Sequence, residues 1–428
     1  MSAREERVID GAAPLAGVRV LDLTRILSGP YATMLLADLG AEVIKVERPS
    51  GGDETRSWGP PFWDGMSTYF AAVNRGKRSV ALDLRLERGR RLLRELVGEV
   101  DVVVENFRPG VTERLGIDYA SLSAARPELV YATINGFGSR GPKASEAGTE
   151  VIVEAETGLM AMMGTPDGPP VRIGVAMVDI ATGLALVSGV LAALLERARS
   201  GRGRKLEFPL YTTAFSCLAT VIASASVDPA SQDGRWGSGH PSIVPYSAFR
   251  ASDGYVVLGA INELMWTRLC DALCLQALRD DPRARTNELR VRNRTNVEAR
   301  LAAVIAVHPV SDVVRRLSAA GVLVAPVRSA LEAVEDPQVS ELGLCDAIDG
   351  VRFMRTPLNQ FNGGVLPRAQ RLGEDSLDVV REYLSLSEGE LSELVRDGVL
   401  QTFVEGQTLV EGPPLAKPAP GAAQASST

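Results

Sequence analysis

The sequence is short of the residues that most metal sites and disulfide frameworks need. Its 428 residues include two histidines and four cysteines, and no two cysteines form a CxxC pair. Zinc is held mainly by Cys and His, so we expect no metal centre. The polar N-terminal stretch MSAREERVIDGAAP does not resemble a secretory leader. Together these features predict a reducing, cytoplasmic location.

A glycine-rich dinucleotide fingerprint is also missing. The turn after the first predicted strand reads TRILSGPYAT, with Gly29 followed by Pro30. A Rossmann cofactor site needs GxGxxG at this position for close approach to the pyrophosphate, so an NAD-dependent enzyme is disfavoured. The chain carries 46 Lys and Arg against 53 Asp and Glu, a net charge of −7. That balance argues against a general nucleic-acid surface, although a local basic pocket remains possible.

What the sequence does contain is a regular alternation of strand and helix patterns. Residues 18–23 read as a buried strand, 30–38 as a helix and 42–47 as a second strand. This βαβ unit predicts a parallel sheet, and the alternation continues to about residue 224. We therefore expect an α/β fold whose large domain is Rossmann-like.

Composition divides the chain into four predicted segments. Residues 14–224 form the large domain, and a Gly-, Pro- and Ser-rich stretch then opens a small α+β domain, 225–329. That domain contains a predicted hairpin whose turn is Ser252-Asp253-Gly254. Residues 330–410 read as a helical return to the large domain. The Pro-, Ala- and Ser-rich tail, 411–428, has the composition of a disordered segment.

One carboxylate stands out because of its apolar surroundings. Asp179 is the single ionisable residue in GVAMVDIATGLALVSGVLAALL, residues 174–195. The apolar run after it, 180–195, is short for a membrane span and predicts a buried core helix. Asp179 would then cap this helix, and the helix dipole would lower its pKa. An ionised carboxylate in that position is also a usable nucleophile, and the two roles are compatible.

Basic residues lie close to the ends of the predicted strands. Arg48, Arg108 and Arg114 follow strands whose carboxyl ends should share one edge of the sheet, where open α/β folds bind ligands. Guanidinium groups match phosphate geometry, so a multiply phosphorylated ligand is one interpretation. A solvated charged face is the other.

Several segments taken together resemble the class III CoA-transferase family, which includes formyl-CoA transferase and the carnitine and bile-acid CoA-transferases. They are PLAGVRVLDLTRILSGPYATMLLADLGAEVIKVERP, NRGKRSVALDL, DVVVENFRPG, INGFGSRGP, VDIATG and ARSGRGRKLEF, and the resemblance covers about residues 14–400. It implies an acyl-CoA and a small carboxylic acid as substrates, with no permanently bound cofactor. It also implies an interlocked homodimer with neither nucleic-acid nor membrane partners.

The resemblance implies a covalent mechanism on Asp179, through a mixed anhydride and then an aspartyl-CoA thioester. A backbone N–H near Gly183 or the helix start would stabilise the oxyanions. The positions that match the family's CoA-binding residues are Leu27, Ser28, Arg48, Leu82, Arg85, Asn106, Phe107, Arg114 and Leu115. Glu150 matches an acidic position of the family and is a candidate substrate-side residue. His240, in GSGHPSIVPY, is a second candidate on the small-domain side of the cleft, although a structural role is the favoured interpretation. Arg85 stands where formyl-CoA transferase has Lys, and GRWGSGHPS is shorter than that enzyme's glycine run, which disfavours a formate and oxalate pair.

Two alternatives remain open. An α-methylacyl-CoA racemase has the same fold but needs a His where this chain has Thr149, so one of its two bases is missing. A non-catalytic CoA-binding protein would tolerate the loss of Asp179. The acyl donor and acceptor are not named by the sequence, although Arg56, Arg75 and Arg172 could bind a second carboxylate and so favour dicarboxylic acids.

Overall fold

Strands and helices alternate through the computed structural model, which describes residues 13–229, 234–361, 364 and 366–404. The strands are β1 (Arg19–Leu23), β2 (Glu42–Glu47), β3 (Phe62–Trp63), β4 (Met66–Ser67), β5 (Lys77–Leu82), β6 (Val102–Glu105), β7 (Val130–Asn135), β8 (Lys205–Pro209), β9 (Tyr246–Arg250), β10 (Tyr255–Gly259), β11 (Leu323–Pro326), β12 (Cys345–Ile348), β13 (Val351–Met354) and β14 (Leu400–Gln401). The helices are α1 (Ser28–Asp38), α2 (Thr68–Asn74), α3 (Glu87–Val97), α4 (Val111–Leu115), α5 (Tyr119–Ala125), α6 (Glu150–Thr157), α7 (Leu159–Met162), α8 (Met177–Ser200), α9 (Leu210–Cys217), α10 (Ala219–Val227), α11 (Glu263–Ala272), α12 (Gln276–Arg279), α13 (Asn287–Arg292), α14 (Arg294–Ile305), α15 (Val310–Ala319), α16 (Ala330–Val334), α17 (Pro337–Glu341), α18 (Ser376–Leu384) and α19 (Glu388–Arg396).

The described residues group into two compact units. The first unit holds the residues up to Ala147, Asp179–Pro209 and the residues from Asp346 onward; the second holds Gly148–Val178 and Leu210–Cys345. The chain therefore passes between the units four times. The predicted domain boundaries at 224 and 329 stay a prediction, because grouping by proximity does not test independent folding. The predicted disordered tail, 411–428, lies outside the described residues.

A seven-stranded sheet forms the centre of the first unit, in the order β14-β5-β2-β1-β6-β7-β8. Its neighbouring strands run parallel except for β14, which is antiparallel to β5. The predicted α/β class with a parallel sheet is thus confirmed, while β14 was not foreseen. Strand order reverses at β1, which lies between β2 and β6. In open α/β sheets such a switch point marks the ligand-binding crevice at the carboxyl ends of the strands.

The core of this unit explains why its strands read as continuous apolar runs. Leu21 pairs with Ile44 on one side and with Val103 on the other, and all three side chains are fully buried. Strands that are covered on both faces bury the side chains of both faces, so their sequences do not alternate between polar and apolar residues. Helix α3 contributes its apolar face to the same cluster, through Leu92, Leu93, Leu96 and Val97.

The second unit contains a three-stranded antiparallel sheet in the order β11-β10-β9. Strands β9 and β10 form the predicted hairpin, with Arg250 opposite Tyr255 at its turn. Helices α11, α14 and α15 cover this sheet with Trp266, Leu301 and Leu317. The predicted hairpin at this position is confirmed.

Helix α8 is only partly buried, whereas a buried core helix was predicted. Leu186 and Val190 are buried, whereas Leu184, Leu191 and Leu195 are exposed. Its length and composition would by themselves suit a membrane span, but 39% of its most apolar window is buried. Among the described residues, α9 and α10 would also qualify if their 57° bend were one broken span. A core helix of a soluble protein meets the same criteria.

Candidate functional site

Asp179 lies in the first turn of α8, as its third residue. Its carboxylate accepts a hydrogen bond from the hydroxyl of Ser28, the first residue of α1. The prediction that Asp179 is the N-cap residue is therefore wrong: the helix starts two residues earlier, and the carboxylate faces α1 instead.

Burial raises the pKa of Asp179 to about 6, against the weaker, opposing effect of the Ser28 hydrogen bond. The predicted lowering by the helix dipole is wrong, because the loss of hydration costs the anion more than the helix end returns. At neutral pH about nine-tenths of this carboxyl group is ionised. Asp179 is thus more basic than an ordinary aspartate while still charged, which suits a nucleophile.

Glu150, the first residue of α6, holds the start of α8. Its Oε1 accepts the backbone N–H of Val178 at 3.2 Å, and its Oε2 lies 3.9 Å from Nη2 of Arg172. Glu150 is buried and Val178 is the residue next to Asp179. The helix end that Asp179 was expected to cap is therefore satisfied by Glu150. The predicted substrate-side role of Glu150 stays a prediction.

Close packing of α8 on α1 depends on Gly183. A Cβ at this position would come within 2.9 Å of the Ser28 carbonyl oxygen and 3.1 Å of Tyr31 Cδ1. Only glycine permits this separation without a shift of one helix. Gly183 is the seventh residue of α8, and the Val178 N–H is bonded to Glu150. The prediction that one of these N–H groups stabilises the oxyanions gains no support from this geometry.

The loop between β1 and α1, residues 24–27, is held by side chains from two other strands' ends. Asn106, after β6, accepts the N–H of Arg25 at 2.9 Å and donates to its carbonyl at 2.7 Å. Asp53, after β2, accepts the N–H of Ile26. Ile26 itself has φ +71°, a conformation that is rare and costly for a β-branched residue.

A network of buried charges lies beneath this loop. Lys77 donates to Asp22 at 2.9 Å, Lys45 pairs with Asp53 at 3.3 Å, and Arg56 makes a bidentate pair with Glu47. The six members are buried. Burial alone would raise the pKa of Asp22, but Lys77, Lys45 and two threonine hydroxyls hold it well below its usual range. Burial lowers the pKa of Lys77 to about 8, against the attraction of Asp22.

The predicted CoA-binding residues share one edge of the sheet. Leu82 is the last residue of β5, and the others follow β1 (Leu27, Ser28), β2 (Arg48), β5 (Arg85) and β6 (Asn106, Phe107, and on α4 Arg114, Leu115). These four strands are consecutive neighbours and run parallel. Their carboxyl ends therefore lie side by side, at the switch point of the sheet.

These residues differ in what they offer a ligand. Arg48, Arg85 and Arg114 are exposed at this edge, although Arg85 also bonds Asp83. Leu82 is 1% exposed in the core, and Asn106 is committed to Arg25. The exposed arginines can meet phosphate oxygens, whereas Leu82 and Asn106 shape the edge from within.

Two of the three arginines predicted to bind a substrate carboxylate are instead paired with carboxylates of the protein. Arg56 is bound to Glu47, and Arg75 makes two bonds to Asp38; both guanidinium groups are about 2% exposed. The suggestion that they bind a substrate carboxylate is therefore wrong, while Arg172, with 56% of its side chain exposed, remains. Arg25 was missed by the sequence, although its place after β1 was a signal. It reaches Glu54 at 2.5 Å and lies over the Phe107 ring.

His240 belongs to the second unit, where it has a structural environment. Its ring stacks on Tyr246 at 5.9 Å, and its Nδ1 accepts the N–H of Ser242 at 3.1 Å. Its predicted substrate-side role stays a prediction. Thr149, where a racemase would have its His, is the N-cap residue of α6. In the described part of the chain no group of three His, Cys, Asp or Glu side chains is arranged to hold a metal ion.

Comparison with known proteins identifies the same family throughout. The model of CoA-transferase family III matches residues 15–375. Succinyl-CoA:glutarate CoA-transferase from Mus musculus is 39% identical over 412 residues, which cover 94% of this chain and 93% of that protein. Acetyl-CoA:oxalate CoA-transferase from Acetobacter aceti is 37% identical over 348 residues, covering 81% and 88%. The solved structure of a CAIB/BAIF family protein from Brucella suis has a TM-score of 0.79 at 38% identity, covering 87% of this chain and 100% of that one.

Proposed function

This chain belongs to CoA-transferase family III, and we propose that it transfers CoA from an acyl-CoA to a carboxylic acid through covalent intermediates on Asp179. The observation that carries the proposal is a partly buried carboxylate in the first turn of α8, of raised pKa, that keeps its charge at neutral pH. An anion with reduced hydration attacks a carbonyl more readily than one in water.

The first half of the reaction moves the CoA group onto the protein. The Asp179 carboxylate attacks the thioester carbonyl, the C–S bond breaks, and CoA thiolate leaves with the electron pair, giving a mixed anhydride. The thiolate then attacks the Asp179 carbonyl carbon of this anhydride. The donor acid leaves as its carboxylate, and an aspartyl-CoA thioester remains.

The second half repeats these steps with the acceptor. The acceptor carboxylate attacks the aspartyl thioester and releases CoA thiolate, forming a second mixed anhydride. The thiolate attacks the acceptor's acyl carbon, and Asp179 leaves as a free carboxylate. Each step exchanges one activated acyl group for another, so no proton is gained or lost overall. Arg48, Arg85 and Arg114, exposed at the sheet edge, would hold the CoA phosphates.

We propose small dicarboxylates, such as succinate and glutarate, as the acyl groups. The relative from Mus musculus is named for succinyl-CoA and glutarate. Arg172 adds a physical argument, because its side chain is largely exposed and a guanidinium group suits a second carboxylate. The racemase alternative loses its base at Thr149.

We also propose that two chains assemble as a homodimer through the apolar helices. Helix α8 exposes Leu184, Leu191 and Leu195, and α10 has no buried residue. Apolar faces of this kind mark association surfaces. Sedimentation at micromolar concentration should give a dimer, and a monomer would contradict this part. Cys217, Cys270 and Cys274 are free thiols, which supports our proposal of a reducing, cytoplasmic location.

Mass spectrometry after incubation with succinyl-CoA tests the chemistry. The reaction is quenched into hydroxylamine, which converts an activated aspartyl group into a hydroxamate. We expect a hydroxamate on the peptide that carries Asp179, and none in Asp179→Asn. Asp378→Asn, a change at a largely exposed aspartate, serves as the matched control and should label like the wild type. If CoA binds but Asp179 stays unmodified across a panel of acyl-CoAs, the non-catalytic CoA-binding alternative is favoured.

A further inference from the structure

Ser28 occupies an unusual place for a serine at a helix start. Serine is favoured as an N-cap residue, where its hydroxyl accepts a helix N–H. In α1 the N-cap residue is Leu27, which makes no side-chain cap, and Ser28 follows it. The Ser28 hydroxyl is 95% buried with its residue and donates to Asp179. Helix α1 therefore has no side-chain N-cap, and the Ser28 hydroxyl bonds Asp179 instead of a helix N–H.

The loop before Ser28 is fixed at three consecutive residues by buried or half-buried side chains. Lys45 Nζ donates to the carbonyl of Thr24 at 2.7 Å. Asn106 bonds both backbone groups of Arg25, and both Asp53 oxygens lie 3.3 Å from the N–H of Ile26.

That degree of restraint accounts for the backbone of Ile26. An isoleucine at φ +71° persists only where the surroundings over-determine it. Such conformations concentrate at functional sites, where they fix a geometry that a relaxed chain would not keep. Here the residue they fix is Ser28, two positions later.

We propose that Ser28 is a positioning residue for Asp179, and that the strained β1–α1 loop, clamped by Asp53, Lys45 and Asn106, exists to place its hydroxyl. The hydroxyl binds one carboxylate oxygen, which stabilises the anion and leaves the other oxygen free to attack. This inference rests on the proposed nucleophilic role of Asp179, and it adds the group that orients the attack. Neither Ser28 nor the loop residues form a covalent bond to the substrate in this step.

Other titratable groups adjoin this contact and must be separated from it. Tyr31 of α1 lies beside Gly183, and burial, Asp38 and Arg75 act on its phenol with a net rise in pKa, so it stays protonated through the working range. Glu150 contacts the residue before Asp179 and faces Arg172. A readout confined to the Asp179 peptide distinguishes Asp179 from Glu150.

The experiment measures hydroxamate formation on the Asp179 peptide in a single turnover at saturating succinyl-CoA, across pH 4.5 to 8. Each sample is quenched into hydroxylamine at one fixed pH. In Ser28→Ala the carboxylate loses its donor, so its acidic limb should move up by about one pH unit and the rate at pH 6 should fall about fivefold. Ser28→Thr keeps a hydroxyl and should restore the limb. A uniform loss at every pH would mean a merely structural role and overturn the inference.

Asp53→Asn tests whether the restrained β1–α1 loop acts through Ser28, and the direction in which the acidic limb shifts gives the answer. Removing a negative charge would by itself move the limb to lower pH, whereas a displaced Ser28 moves it to higher pH. We expect the second result, and the double variant Ser28→Ala/Asp53→Asn should shift no further than Ser28→Ala. A shift to lower pH, or fully additive effects, would show that the loop does not act through Ser28.

Controls keep the test decisive. Glu263→Gln alters another ion pair, with the buried Arg290, and should leave the limb in place. If Asp53→Asn does not fold, Ile26→Gly loosens the loop without changing a charge, and Ser385→Gly relaxes another positive-φ residue (φ +51°) as its control. Absence of any hydroxamate in the wild type would instead reject the proposed function. A labelled wild type with an unmoved limb in Ser28→Ala rejects only this inference.

Discussion

The first unit contains a fully buried aspartate near the end of β1 and a partly buried aspartate at the start of α8, and their surroundings have opposite effects. Asp22 is fully buried, and although burial acts to raise its pKa, Lys77 and Lys45 hold it far below the usual range. Among the residues that the structure describes, a hydroxyl but no cation acts on the Asp179 carboxylate, and burial raises its pKa to about 6. Paired charges hold a fold together, whereas a charge that lacks a counterion retains its basicity for chemistry.

The largest effect expected is the loss of activity in Asp179→Asn. An amide cannot attack the thioester, so acyl transfer should fall by about a thousandfold or more. The free energy of unfolding should stay the same or rise, because the change removes a buried charge that is only partly stabilised. Turnover with succinyl-CoA and urea unfolding measure the two quantities. Lost stability together with retained activity would reverse the contrast with Asp22.

Asp22→Asn should have the opposite outcome. It leaves Lys77 buried without its anion, which should lower the free energy of unfolding by about 3–5 kcal/mol. Asp22 also accepts from Thr24 and Thr33, so the β1–α1 loop loses support as well. Denaturant titration measures the effect, with Asp378→Asn at an exposed pair as the control. Equal stability of Asp22→Asn and wild type would contradict a structural role for the pair.

The catalytic and the structural carboxylates should also lose their effects at different pH values. Asp179 acts as the anion, so the rate of its acylation should fall about tenfold per pH unit below pH 6. The pKa of Glu47 is shifted in the opposite direction: burial acts to raise it, but Arg56 and Lys45 lower it to about 2. Its stabilising contribution is present above about pH 4.5 and is lost as the pH falls toward 2.

Activity should therefore disappear while the fold is still intact. Single-turnover labelling and circular dichroism over pH 3 to 8 follow the two processes in one sample. A coincident loss of both would mean that unfolding, and not protonation of Asp179, sets the acidic limb.

Much of this arrangement could be predicted from the sequence. The βαβ pattern and the positions of Arg48 and Arg114 after strands were enough to predict one ligand-binding edge, because parallel strands bring their carboxyl ends together. Asp179 was found through its isolation in an apolar segment. Both signals are local, and both depend on patterning that a single chain displays.

What the sequence could not predict depends on partners distant along the chain. Arg75 read as a loop cation, but it is bonded to Asp38, 37 residues away, and to Asn359, 284 residues away. The rise in the pKa of Asp179 was likewise missed, since the helix dipole can be inferred from position whereas desolvation depends on packing. The Val178 N–H in the first turn of α8 is bonded by the carboxylate of Glu150, which lies on a helix that was not predicted.

A smaller effect is expected from Gly183→Ala, which shifts the contact between Asp179 and Ser28 without changing either residue. The new methyl group would lie 2.9 Å from the Ser28 carbonyl oxygen, and overpacking of this kind costs about 1–3 kcal/mol. Alanine returns about 1 kcal/mol through its helix propensity, so we expect a net loss of about 0–2 kcal/mol in the free energy of unfolding. Acylation of Asp179 should fall about tenfold, because attack is sensitive to small displacements. Ser188→Ala, at an exposed position of the same helix, should leave the rate unchanged.

The smallest effect should come from Arg85→Gln, where a carboxylate is paired with a cation that water also reaches. The Arg85 side chain is 85% exposed and bonds Asp83, and hydrogen bonds from Arg85 lower the pKa of Asp83. Water screens such pairs, so the unfolding midpoint should not move. The lost guanidinium should raise the KM for acyl-CoA about threefold at low salt, less at high salt, with kcat unchanged. A lowered kcat would mean that Arg85 lies nearer the reacting atoms than its place at the sheet edge suggests. A lowered unfolding midpoint would mean that this exposed pair stabilises the fold, as we expect only of buried pairs.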